Sequence, residues 1–317
     1  EGGGAAAVAR GAALLAALAA ALAGAAWAQE QPPAAEYSHL LNLRFDELSG
    51  KLTVGQLVLV APPQPEQTAE LVLATADGKP VSTVPLQIRR WQAFPGFAGL
   101  TPRGEAVVVH PGRGGDFVLS VRVGGKEVTA LPYSLAETIS GDSYSSQVNV
   151  FVREGPWRSL AFLAAAPAAP GEALDFHWWA SEREMPGGWG NTRAVVRVLR
   201  DGAEVAVGAA VTVVSAADWQ PLRTRLVRPE SAGGGGFTLA DLTAADGEYT
   251  IAVEARKTVL KKFTATVTGG TLARLDRCRP ESLPSPAFIS PRLVDTSAGS
   301  ESGYRLVDAY WLGAGGG

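Results

Sequence analysis

The residues best suited to chemistry lie in one stretch, ALDFHWWASEREMPGGWGNTR, Ala173–Arg193. It holds His177, Trp178, Trp179 and Trp189, and Trp219 follows in AADWQP. An imidazole can carry a proton near neutral pH, and an indole can stack on a sugar or anchor a protein contact. In a strand, side chains alternate between two faces. Leu174, Phe176, Trp178 and Ala180 then form an inward set, with Trp178 in the core. Asp175, His177, Trp179 and Ser181 form the outward set. An outward Trp179 beside His177 leaves a large ring to be covered, and each such ring can bury about 150–250 Å². Three uses stay open for Trp179, Trp189 and Trp219: a domain–domain contact, a protein-partner surface, or a platform for carbohydrate. Tyr310 and Trp311, near the C-terminus, add a second aromatic pair able to touch a partner.

Motifs for catalysis do not accompany these rings. The chain has no Gly-x-Ser-x-Gly elbow, phosphate-binding loop or His-Glu-x-x-His pair. His39, His110 and His177 are too far apart in sequence for a metal-ligand spacing. SGDSYSS, residues 140–146, has too few carboxylates for a calcium loop. Glu182 and Glu184 flank Arg183 and read as a solvated loop. The sequence therefore predicts a non-enzyme with no catalytic residue, cofactor or metal.

The elements that position these residues are short and alternating. QLVLVAPP, AELVLATADGKPV, DFVLSVRVGGKEVTALPYSL and SQVNVFVREGP read as strands, and so do EALDFHWWASE and TRAVVRVLRDGAEVAVGAAVTVVS. Asp77-Gly78 and Asp201-Gly202 sit between apolar runs, the strongest short signal for a hairpin. No amphipathic helical stretch stands out after residue 37, so the chain is expected to be all-β. Gly115–Leu135 also aligns without a gap on Gly247–Val267, with Phe117 opposite Tyr249. The two Asp-Gly turns recur in the same order, which predicts two copies of one fold, parted near Arg153–Trp157.

The second copy contains DLTAADGEYTI, with Leu242, Asp246, Gly247 and Tyr249 in order. This resembles the tyrosine corner of immunoglobulin-like and fibronectin-type sandwiches. The resemblance implies that the Tyr249 hydroxyl bonds to backbone a few residues upstream while its ring packs inward. Phe117 keeps the ring in the first copy and lacks the hydroxyl. It implies a fold and carries no catalytic residue, because this fold hosts many functions.

The expected architecture is all-β: two tandem immunoglobulin-like antiparallel β-sandwiches with a Pro-rich C-terminal extension. Residues 1–28 read as a signal peptide, with Arg10 ahead of an Ala/Leu run and Ala26-Trp27-Ala28 before a mature Gln29. A linker spans 29–36, the sandwiches 37–153 and 157–270, and the tail 271–317. Pro280, Pro284, Pro286 and Pro291 make that tail extended, and its short β-like segment at 302–312 is expected to dock back within the chain. Cys278 is the single cysteine, so no internal disulfide forms. The net charge of −3 with interspersed signs argues against a nucleic-acid partner or an anionic membrane surface.

The functional expectation is an exported, periplasmic or extracellular, non-enzymatic binding or structural protein of the bacterial cell envelope. It acts through a protein partner or self-association. A carbohydrate-binding accessory protein and a periplasmic assembly chaperone are the alternatives.

Overall fold

The computed structural model describes residues 34–46, 51–60, 67–103, 107–109, 114–140, 147–166, 171–184, 192–213, 219–273, 289–290, 292–295 and 304–314. The signal-peptide segment, Trp189 and Cys278 lie outside these residues. The fold is all-β, and its sheets fall on either side of the connector between Glu154 and Ala161.

The second unit is a closed ring of antiparallel strands. Ala161–Ala165 pairs with Asp175–Ala180, which pairs with Gln220–Val227. That strand meets Ala203–Gly208, followed by Thr192–Arg200, Gly247–Ala255 and Thr258–Thr268. Arg305–Ala314, from the tail, pairs with both Thr258–Thr268 and Ala161–Ala165 and closes the ring. The tail thus docks within the chain. Leu174, Phe176, Trp178 and Ala180 point into the barrel with Val196, Ile251 and Phe263, as strand alternation requires. Leu312 of the tail strand joins the same core. Gly208 sits where the two layers meet: a Cβ there would lie 2.1 Å from Cγ2 of Thr224, so only glycine lets the strands approach.

Tyr249 occupies the corner of this barrel. Its hydroxyl donates to the carbonyl oxygen of Ala245 at 3.0 Å, and its ring is buried in the barrel core. Gly247, at φ 139°, supplies the turn into the strand. Asp246 accepts from the backbone N–H groups of Gly270 and Gly269 at 2.9 and 2.8 Å, and these bonds hold its carboxyl below its usual range. Tyr249→Phe is expected to cost about 1 kcal/mol, the net worth of one hydrogen bond. Urea unfolding of the variant measures it, and an unchanged midpoint would remove the hydroxyl from the account.

The first unit repeats this order. Ala34–Ala35, Leu57–Val60, Phe97–Pro102, Pro80–Arg90, Ala69–Thr75, Gly115–Val123, Lys126–Ser140 and Gln147–Glu154 are successive neighbours. Gly115–Val123 takes the place of Gly247–Ala255, and burial along the two strands follows one pattern, residue by residue. Phe117 is buried at the position of Tyr249 and lies 6.1 Å from the ring of Tyr133 across the hairpin. A small sheet of Leu43–Asp46, Lys51–Val54 and Val107–Val109 stands beside it.

Two free-standing sandwiches, each with its own core, are not what forms. The tail strand closes the second unit into a barrel. Among the described residues, no pairing closes the first unit's sheet. Its core residues Leu57, Leu71 and Val121 instead belong to one buried cluster with Phe162, Trp179, Trp219 and Trp311. The cause is the apolar outer face of the barrel, which the first unit and the tail remove from water.

Candidate functional site

The seam between the units gathers most of the unusual side chains. Trp157 lies in the connector, and its indole N–H donates to the Leu41 carbonyl at 2.8 Å. Its ring stacks on Trp219 with centroids 5.9 Å apart. Gly155 lies under that ring, where a Cβ would come within 1.7 Å of it. Phe162 stacks flat on His177, at 4.5 Å and 5°, and also contacts Trp311 at 4.7 Å. The Trp311 indole donates to the Ser290 carbonyl at 3.0 Å, which ties two parts of the tail together. Arg183 of the barrel lies 3.3 Å above the Phe151 ring of the first unit.

Lys261 is buried in this seam. Its Nζ donates to the Trp179 carbonyl at 2.8 Å, lies 4.8 Å above the Trp219 ring and pairs with Glu184 at 3.0 Å. Burial lowers its pKa, and the Glu184 charge opposes that shift. Glu184 also accepts from Arg158 at 3.0 Å. The solvated loop expected around Glu184 is therefore corrected, because this carboxylate compensates a buried ammonium.

A cavity of about 270 Å³ opens between the Tyr37–Leu40 helix, the tail and the barrel strands 175–180 and 220–227. His39, Asn42, His177, Arg223 and Asp295 stand on its wall among Phe162, Trp178, Trp179 and Leu222. An ion-pair network holds its charged rim. Arg223 bonds to Asp175 and lies 3.6 Å from Asp295, while Arg305 reaches Asp295 at 3.0 Å and Asp175 at 3.1 Å. Burial opposes ionisation of Asp175, but bonds from Arg223 and Arg225 outweigh it and keep the carboxyl below its usual range. Burial pushes both histidines down to about 4, against the pull of Asp295 on His39 and of Asp175 on His177. Both imidazoles are thus neutral at pH 7.

Comparison with protein-family models, curated proteins and solved structures gave no match. His177, Trp179, Trp219, Tyr310 and Trp311 all come to the barrel's outer face or the tail strand beside it. Trp179, Trp219 and Trp311 are 3%, 4% and 2% exposed, so none offers a free ring for a partner or a sugar. The exposed surface expected for Trp179 and its neighbours is corrected: their outward face meets the first unit and the tail. Of the three uses left open, the domain–domain contact is the one these rings fill. Tyr310 packs on the barrel core from the tail strand. Sequence reasoning missed Glu36, His39, Lys261 and Asp295, which no local pattern marks. Among the described residues, no cluster of three or more His, Cys, Asp or Glu could hold a metal ion. No described helix is long and apolar enough to cross a membrane.

Glu36 gives the seam a distinctive pH response. It caps the Tyr37–Leu40 helix by accepting from the Ser38 N–H at 3.2 Å and the Ser38 hydroxyl at 3.1 Å. Burial pushes its carboxyl up to about 8, although bonds from Ser38 pull the other way. Each shifted group changes stability by about 1.4 kcal/mol per pH unit within its own window. The histidines lose stability as pH falls from 6.5 toward about 4, because the unfolded chain takes up their protons first. Glu36 loses stability as pH rises from 4.5 to about 8, because only the unfolded chain ionises it there. Two opposing slopes exceed one below pH 6.5, and above it the Glu36 slope is left. The urea midpoint is therefore expected to peak near pH 6.5, and Glu36→Gln is expected to flatten the decline toward pH 8. A midpoint that climbs steadily from pH 6.5 to 8 would contradict this.

Proposed function

We propose that the chain is an exported, non-enzymatic binding or structural protein of the cell envelope, built of two immunoglobulin-like units and acting through protein contacts. The immunoglobulin-like reading is supported by the barrel's strand order. Strands 161–165, 175–180 and 220–227 form one layer, and 258–268, 247–255, 192–200 and 203–208 the other. The Tyr249–Ala245 bond at the corner supports it further. Export rests on Arg10, the Ala/Leu run and Ala26-Trp27-Ala28.

One observation carries the choice of a scaffold. The aromatic rings and buried charges join the two units into one body, and the imidazoles are neutral. In the first unit, the ribbon of 134–140 and 147–154 carries Ile139, which is 76% exposed. A photo-crosslinking residue at Ile139 is expected to trap a discrete protein in the native envelope, whereas one at the exposed turn residue Lys79 is not. Equal trapping at both sites, or none at Ile139, would count against a protein contact there.

A further inference from the structure

We propose that the strand Gln147–Glu154, at the edge of the first unit, pairs antiparallel with the same strand of a second copy of this chain. This deepens the protein-contact reading and rests on it, naming the partner of the ribbon that carries Ile139. The first unit's sheet ends on Gln147–Glu154, which pairs with Lys126–Ser140 on one side. Among the described residues, no strand lies on its other side, and its backbone makes no backbone bond outside that ladder. Alternate residues of such a strand turn their N–H and C=O groups away from the sheet, which is a template for another strand. The internal repeat shows what this edge lacks. In the barrel, the strand beside Thr258–Thr268 is Arg305–Ala314, and Ala161–Ala165 covers its other edge. Gln147–Glu154 holds the matching place beside Lys126–Ser140, and no described strand covers it.

The edge carries none of the devices that keep native edges apart. Lysine, proline and bulges usually blunt them. QVNVFV, residues 147–152, holds no charged residue and no proline, and its ladder runs without a register shift from Gln147 to Val152. Valine and phenylalanine also favour the pleated conformation. The edge is held in place before any partner arrives: Val150 and Val152 are buried in the shared core, and Arg183 of the barrel lies over Phe151. Charge favours a second copy over a foreign strand. Arg153 and Glu154 lie 3.6 Å apart and cancel, so the strand has no net charge with which to select a charged partner. A two-fold axis through Val150 sets Arg153 opposite Gln147 of the second copy, so like charges do not meet. One patch then serves both sides, as a closed two-fold contact requires. The axis stands normal to the sheet, so the buried faces of both half-open units stay on one side. The widened sheet flanks Ile139, which stands opposite Val148 one strand in from the edge.

Light scattering of the purified chain over about 1–100 µM tests the proposal, together with hydrogen exchange of the peptide 147–154 at both ends of that range. The mass is expected to rise from one chain to two, and the amides of 147–152 to exchange more slowly in the dimer. Asn149→Lys puts a charge on the edge strand and is expected to weaken association about tenfold or more. If that variant does not fold, the exchange of the unsubstituted chain still decides. A chain that stays monomeric across the range overturns the proposal, and so does a dimer in which 147–152 exchanges as it does in the monomer. A monomer whose Ile139 crosslink traps a different protein overturns the second copy and leaves the protein-contact reading standing. A dimer protected at 147–152 that gives no crosslink at Ile139 keeps the edge pairing and overturns the Ile139 contact.

Discussion

A chain ending at Gly303 is expected to lose cooperative unfolding, bind a hydrophobic dye and elute as aggregate. The lost segment contains Arg305–Ala314, which pairs with Ala161–Ala165 on one side and with Phe263 and Thr264 on the other. Its removal frees two strand edges, and unpaired edges template association with other chains. Leu312 leaves the barrel core, while Val307, Ala309 and Trp311 leave the shared cluster. Burial of one large apolar side chain is worth about 1.5–3 kcal/mol, so Val307, Trp311 and Leu312 together rival the whole stability of a domain, about 5–15 kcal/mol. Arg305 also leaves its pairs with Asp295 and Asp175, and the nearly buried Asp175 then depends on Arg223 and Arg225 alone. Circular dichroism melts and size-exclusion chromatography read the outcome. A truncated chain that melts sharply as a monomer would show that the barrel closes without its tail.

Trp157→Ala is expected to destabilise the chain by about 3–5 kcal/mol, the range for deleting a buried aromatic side chain. The ring is 1% exposed and stacks on Trp219. Its N–H holds the Leu41 carbonyl at the end of the Tyr37–Leu40 helix, so the substitution also orphans a buried acceptor. Trp157→Phe keeps an aromatic ring and removes the donor, so it is expected to cost less than half as much. Urea unfolding of both variants at pH 6.5 separates packing from hydrogen bonding. Equal losses would assign the effect to the bond rather than to the ring.

Much of the fold was legible because a strand's period is local. Leu174, Phe176, Trp178 and Ala180 alternate with Asp175, His177 and Trp179, and the barrel interior takes the first set. The repeat was legible for the same reason: Gly115–Val123 and Gly247–Ala255 share their spacing of apolar residues and bury the same positions. What covers the outer face was not legible. Trp179 meets residues of the first unit and tail, and nothing in HWWAS distinguishes a ring facing water from one facing another unit. The cavity fails the same way, since His39, His177 and Asp295 converge from three separate segments. Glu36 and Lys261 carry ordinary local contexts, and only their depth in the seam makes them unusual.

The first unit shares its core with the outer face of the barrel, so the two are expected to unfold together. Hydrogen exchange across a urea series tests it most directly, read by mass spectrometry on peptides spanning Leu71–Thr75 and Thr250–Val253. Shared burial predicts that both peptides open with one free energy and one urea dependence. If the first-unit peptide opened with a lower energy and a smaller dependence while the barrel peptide stayed protected, the units would be independent and the shared core would be refuted.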